Sequence, residues 1–156
     1  MTTITARATG RSLVSDDLFT RLTRRIVEDE GIDQQFAERI MDQALVFLKA
    51  CAENHRTRLA PSKSVDIGWH VFVLHTRDYA DFCERVAGRF IHHIPTDDET
   101  SRGQVARDTL VRTVRAIQST GFAVDAELWP DVAGKLSARC SPCHNGCADD
   151  PPPEYR

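Results

Sequence analysis

The segment from Pro61 to Gly88 constrains this chain more than any other. Val65, Trp69, Phe72, Thr76, Tyr79, Cys83 and Val86 step by four and three residues in alternation, the spacing that lines one side of an α-helix. Pro61 and Ser62 supply a start signal and Gly88 a stop. The spacing therefore predicts one continuous helix to about Ala87, carrying a single buried seam.

The same period recurs on either side. Ser15 with Asp16 and Asp17 opens a helix whose stripe is Leu18, Leu22 and Ile26, and Gly31 stops it. Asp33 suits the cap of a second, with the stripe Phe36, Ile40, Ala44, Phe47, Leu48 and Cys51. A helix from about Thr100 to Thr120 turns Val105, Leu110, Val111, Val114 and Ile117 inward, before Gly121. Asp125 to Trp129 reads as one helical turn, and Pro130 suits the start of a short helix to about Ala138. No convincing period-two strand pattern and no internal repeat is present. The expected fold is all-α, a compact bundle of four main helices plus a short fifth, with a Cys-rich C-terminal tail. Its expected divisions are a disordered N-terminus at 1–11, a helical domain at 12–138, a Cys/His knuckle at 139–148 and a Pro-rich acidic tail at 149–156.

Composition narrows the function classes. In 156 residues, 20 Lys and Arg stand against 23 Asp and Glu, and 41% of residues are hydrophobic. That balance fits one soluble globular domain and excludes collagenous, low-complexity and wholly disordered chains. No basic tract tracks a phosphate backbone, so nucleic acid is not an expected partner. Met1 to Arg11 lacks the apolar core of a signal peptide, and no run approaches the roughly 20 apolar residues that cross a bilayer. The expectation is a cytoplasmic protein with a protein or small-molecule partner and no membrane.

The five cysteines divide unevenly. Cys51 and Cys83 fall on core stripes and read as small buried hydrophobes. Cys140, Cys143 and Cys147 lie in the tail with His144. Two thiolates two residues apart grip a tetrahedral ion from a tight turn, and sulfur ligands favour zinc or an iron–sulfur cluster. Adjacent Cys143 and His144 make an awkward pair of ligands for one ion. The fourth ligand of a closed site is then expected from His92 or His93. A structural or regulatory zinc ion is the leading expectation, with an unoccupied reduced tail or a disulfide as the other states. The run also matches the C-x-x-C-H haem pattern, whose assembly normally takes place outside the cytoplasm.

A second group lies in the middle of the chain. His70 and His75 are five residues apart, about 140° around a helix, and do not share a face. Asp66 and His70 are four apart and within reach of one another, as a carboxylate orienting an imidazole or as a local hydrogen bond. Of His92 and His93, one is expected to point inward, toward His75, Tyr79 or Cys83. A pocket of Asp66, His70, His75, Tyr79 and these imidazoles would suit a metal- or His-dependent enzyme. The remaining reading is a non-catalytic protein-interaction module without metal. No phosphate loop, nucleophile elbow or dinucleotide fingerprint is present.

Val65-Asp66-x-x-Trp69-His70, Leu74-His75-Thr76, Tyr79, Phe82-Cys83, Gly88 and Phe90-Ile91-His92-His93-x-Pro95 together resemble the core of the glycine-rich domain-containing protein-like family. The likeness is to short actinobacterial members, over 61–95 most specifically. It implies a compact helical domain and brings no reaction, cofactor or substrate. The chain departs from the plant members in having only 8 Gly and no glycine-rich tail.

Overall fold

The computed structural model describes residues 6–94, 104–130 and 132. Regular structure among these residues is entirely helical. A 3-10 turn at Gly10–Leu13 precedes α1 (Asp16–Glu30), α2 (Gln34–Glu53), α3 (Lys63–Leu74), α4 (Thr76–Ala87) and α5 (Gln104–Ser119), and a second 3-10 turn follows at Ala126–Leu128. The caps are those that the residue types dictate. Ser15, Asp33 and Ser62 accept from the backbone N–H of Leu18, Phe36 and Val65, satisfying donors that a helix start leaves unpaired. No helix among the described residues is long and apolar enough to cross a membrane.

The core is organised around α2. Ile40, Met41, Ala44, Leu45, Val46, Phe47 and Leu48 are all buried, so this helix is apolar on nearly every side, as a central helix must be. It packs against α1, α3, α4 and α5. The crossing with α3 is close because Gly68 lies over Ala44. A Cβ at position 68 would stand 2.8 Å from the Ala44 Cβ and 3.2 Å from the Ile40 carbonyl oxygen.

The helix expected to run unbroken to Ala87 breaks at His75, where φ is −84° and ψ is 66°. In a continuous helix the His75 N–H would reach the Val71 carbonyl. Here it donates to Phe72 O at 3.0 Å, and the imidazole Nδ1 takes the Val71 carbonyl at 2.9 Å instead. The side chain thus occupies the place its own backbone vacates. Thr76, counted within the seam, is exposed at the bend. The bend folds the two halves of the seam together: Phe72 and Phe82 have ring centroids 5.1 Å apart. Ten residues of straight helix would hold them about 15 Å apart. The fifth α-helix among the described residues comes from this break. The helix expected over 130–138 lies outside the described residues, save Pro130 and Val132.

Both flanking segments are tied to α2 by polar groups. Gly10 is buried against the Asp42 carbonyl, and Arg11 N–H donates to the Asp42 carboxylate at 3.0 Å. Gly10 and Arg11 thus pack against α2. On the other side, buried Gln43 donates to Ala123 O at 3.1 Å and accepts from Asp125 N at 3.1 Å and Trp129 Nε1 at 3.0 Å. Arg39 adds a bidentate pair with Asp125, at 2.6 and 2.9 Å, and reaches Glu127 at 2.8 Å. These bonds hold buried Leu128 and Trp129 in the core.

Two outcomes follow from this packing. Gly68→Val forces α3 off α2 and should lower stability by about 2 kcal/mol in chemical denaturation, because rigid neighbours leave no room for added carbons. Arg39 holds the Asp125 carboxyl below its ordinary range, chiefly through their hydrogen bonds. That contribution is present above the unfolded carboxylate value of about 4 and is lost as pH falls through the lower folded value. Urea midpoints measured between neutral and strongly acid pH should fall accordingly, and fall less in Asp125→Asn.

Candidate functional site

The candidate residues gather where the connector after α4 crosses back over the bend. Asp66 stands in the first turn of α3, placed there by the Ser62 cap. Gly88 ends α4 in the left-handed region at φ 65° and turns the chain back toward α3. His93 then places its Nε2 2.7 Å from Asp66 Oδ1. Its ring lies over Trp69, with centroids 4.4 Å apart, and meets the edge of His70 at 6.0 Å. The His93 side chain is 18% exposed and that of Asp66 45%, so the pair sits at the rim of the core.

Tyr79 lies beneath this pair. Its hydroxyl accepts from Trp69 Nε1–H at 2.9 Å and donates to the Ile91 carbonyl at 2.6 Å. Burial pushes the phenol well above its ordinary value, although the Trp69 hydrogen bond acts in the opposite direction. The group stays protonated through the neutral range and serves as a bridge between α3, α4 and the connector. Cys51 is similarly quiet: burial pushes its thiol up to about 12, far from a reactive thiolate at neutral pH.

The expected group of side chains is therefore only partly brought together. Asp66, Tyr79 and His93 converge with Trp69. His70 lies four residues from Asp66 and is exposed, while the Asp66 carboxylate is taken by His93 from 27 residues away. His75 is spent on the Val71 carbonyl at the helix break. His92 is exposed and stands against Phe90, with rings 4.9 Å apart. What the arrangement offers chemically is one carboxylate–imidazole pair and one buried, fully bonded phenol.

The zinc expectation is overturned. Among the described residues, no group of three or more His, Cys, Asp or Glu side chains comes together to hold a metal ion. The physical reason is that the donors diverge: His93 turns to Asp66, His75 to the Val71 carbonyl and His92 to the Phe90 ring. Cys140, Cys143, His144 and Cys147 lie outside the described residues. Zinc is withdrawn as a cofactor, and metal binding as the function.

Two features escaped the reading of the sequence. One is the polar clasp of Gln43 and Arg39 on Asp125, which lies more than 80 residues from either and leaves no local pattern. The other is the exposure of Leu74, Phe90 and Ile94, at 59%, 45% and 72%. Two of these belong to the connector, whose apolar content pointed to burial.

A family model described as UCP032817-like matches residues 12–120. That span contains the whole of the α3–α4 bend and the connector. No curated protein and no solved structure matches the chain.

Removing the Tyr79 hydroxyl tests its bridging role. Tyr79→Phe leaves Trp69 Nε1–H and the Ile91 carbonyl without their partner and should cost about 1–3 kcal/mol. The raised phenol gives a signed pH dependence as well. Its stabilisation is complete below the unfolded value of about 10 and is lost as pH rises toward the folded value. Denaturation midpoints of the native chain should fall on that alkaline limb, more steeply than those of Tyr79→Phe.

Proposed function

The chain belongs to the UCP032817-like family, and from that premise, which names no reaction, we propose a non-catalytic helical interaction module that works without metal. The observation that carries this reading is the division of the connector. Its inward groups are anchored, Ile91 through Tyr79 and His93 through Asp66; Phe90 lies edge-on against the Tyr79 ring, with centroids 5.3 Å apart, yet it stays half-exposed and Ile94 is largely exposed. Folding alone gives no reason to spend anchors on a segment whose large apolar side chains stay exposed; a partner surface does. The likeness to short actinobacterial members of the glycine-rich domain-containing protein-like family supports a compact helical domain of this kind. A cytoplasmic setting is part of the same proposal.

Affinity capture from a cell lysate, with the native chain and a Phe90→Asp/Ile94→Asp variant side by side, tests the proposal. Phe90 touches the Tyr79 ring, so Ile94→Asp alone, at the more exposed position, is compared as well, and its melting temperature should hold within about 3 °C. A protein retained by the native chain and at least tenfold depleted on the variant is the expected result. Equal recovery on both would overturn the reading.

A further inference from the structure

Between the chain at Ser12–Ser15 and α4 lies a cleft of about 360 Å³, lined by Leu13, Val14, Leu18, Asp78, Asp81 and Arg85 among others. That volume falls at the lower end of small-molecule sites, about 300–1,000 Å³. Asp78, Asp81 and Arg85 follow one another on α4 at intervals of three and four residues, so they share one of its faces. Asp81 and Arg85, the acid one turn N-terminal to the base, have the spacing that favours a direct ion pair. They do not form it. The Arg85 Nη2–H donates to the Leu13 carbonyl at 2.8 Å instead, with the guanidinium over the Phe82 ring at 5.6 Å. Among the described residues, Asp81 has no hydrogen bond and no ion pair. Asp78 is held from one side only: Arg21 reaches its Oδ2 at 3.1 Å and is itself fixed by Asp17 at 3.0 Å.

We propose that this cleft binds a free α-amino acid with an apolar side chain, its ammonium on Asp81 and Asp78 and its carboxylate on Arg85. The observation behind it is an ion pair left unmade across a cavity. A simple cation would meet the guanidinium there, and a simple anion would meet two carboxylates. A ligand with both signs close together suits all three groups. Asp81 and Arg85 are about 6 Å apart along the helix axis, which leaves room for two charged groups joined through one carbon. Charge-assisted hydrogen bonds at each end are of the stronger kind. The Leu13 carbonyl and Arg21 hold Arg85 and Asp78 in place beforehand, which lowers the cost of ordering them on binding. Partly buried Leu13 and Val14 supply an apolar wall for the side chain of the ligand. Solvent reaches the charged groups and weakens them, so the dissociation constant should be about 1 mM. None of these residues belongs to the connector, and the inference goes beyond the interaction reading without resting on it.

Leucine titrated from about 0.1 mM to about 20 mM into the isotope-labelled full chain, a range that spans weak binding, tests the site by nuclear magnetic resonance. The backbone amide signals of Leu13, Val14, Asp81 and Arg85 should shift and saturate, with the midpoint near 1 mM. N-acetylleucine lacks the ammonium and leucinamide lacks the carboxylate. Each leaves a charged group of the cleft unmatched, and each should need about tenfold more to reach its midpoint. Asp81→Asn removes a carboxylate that has no partner among the described residues, so the rest of the spectrum should hold while the leucine midpoint rises about fivefold or more. Arg85→Gln should weaken leucine similarly; if loss of the Leu13 contact disturbs its fold, Asp81→Asn still decides. No saturation up to the highest concentration, equal midpoints for the three compounds, or a leucine midpoint unchanged in Asp81→Asn would overturn the proposal.

Discussion

The Tyr79 hydroxyl is the point on which the architecture turns. It accepts from Trp69 and donates to the Ile91 carbonyl, so one buried oxygen joins three segments and leaves no polar group unsatisfied. That arrangement exists only because the helix breaks at His75. Residues 69 and 79 of a straight helix would be separated by about 15 Å along its axis. The break is costly in backbone bonds, and the His75 imidazole offsets part of that cost by taking the Val71 carbonyl. The bend, the bridge and the return of the connector are thus one device. Loss of any part removes the reason for the others.

A second polar node does the same for the ends of the fold. Gln43 lies in the interior of α2 and uses both its amide groups, with Arg39 one turn away on Asp125 and Glu127. A buried amide is tolerable only when its bonds are made. Among the described residues, no buried side-chain nitrogen or oxygen lacks a partner. The two nodes act at different depths. The Tyr79 bridge is enclosed by apolar side chains, whereas the Arg39 ion pairs are half-exposed and weakened by solvent.

The helices were legible because their signals are local. Ser15, Asp33 and Ser62 cap as residue type and position suggest, and the stripes Leu18–Leu22–Ile26 and Val111–Val114–Ile117 are buried. The break at His75 was hidden for a physical reason. Each half keeps the same seam, so a count of apolar spacing runs through the bend without a fault. Only Thr76 and exposed Leu74 mark it. The site was harder still. Spacing on one helix pairs Asp66 with His70, but a half-buried carboxylate takes whatever donor the fold delivers, and the connector delivers His93. The zinc reading failed similarly, since ligand spacing in the tail says nothing about whether a body histidine is free.

The connector shows where such local reasoning can still be recovered. Phe90 to Pro95 is too short to register as a strand among helices, and its apolar content suggests burial. Anchoring changes that inference. Tyr79 holds the Ile91 carbonyl and Asp66 holds His93, so His92 and Ile94 are left facing solvent. Phe90 is only half turned out, its ring edge-on against Tyr79. Exposure here is a consequence of where the two anchors fall, which makes it a property of the fold. A loop that merely failed to pack would scatter its apolar side chains over many orientations and present no defined surface. This one holds its backbone in place and offers a partner a surface whose ordering is already complete, which lowers the entropic cost of binding.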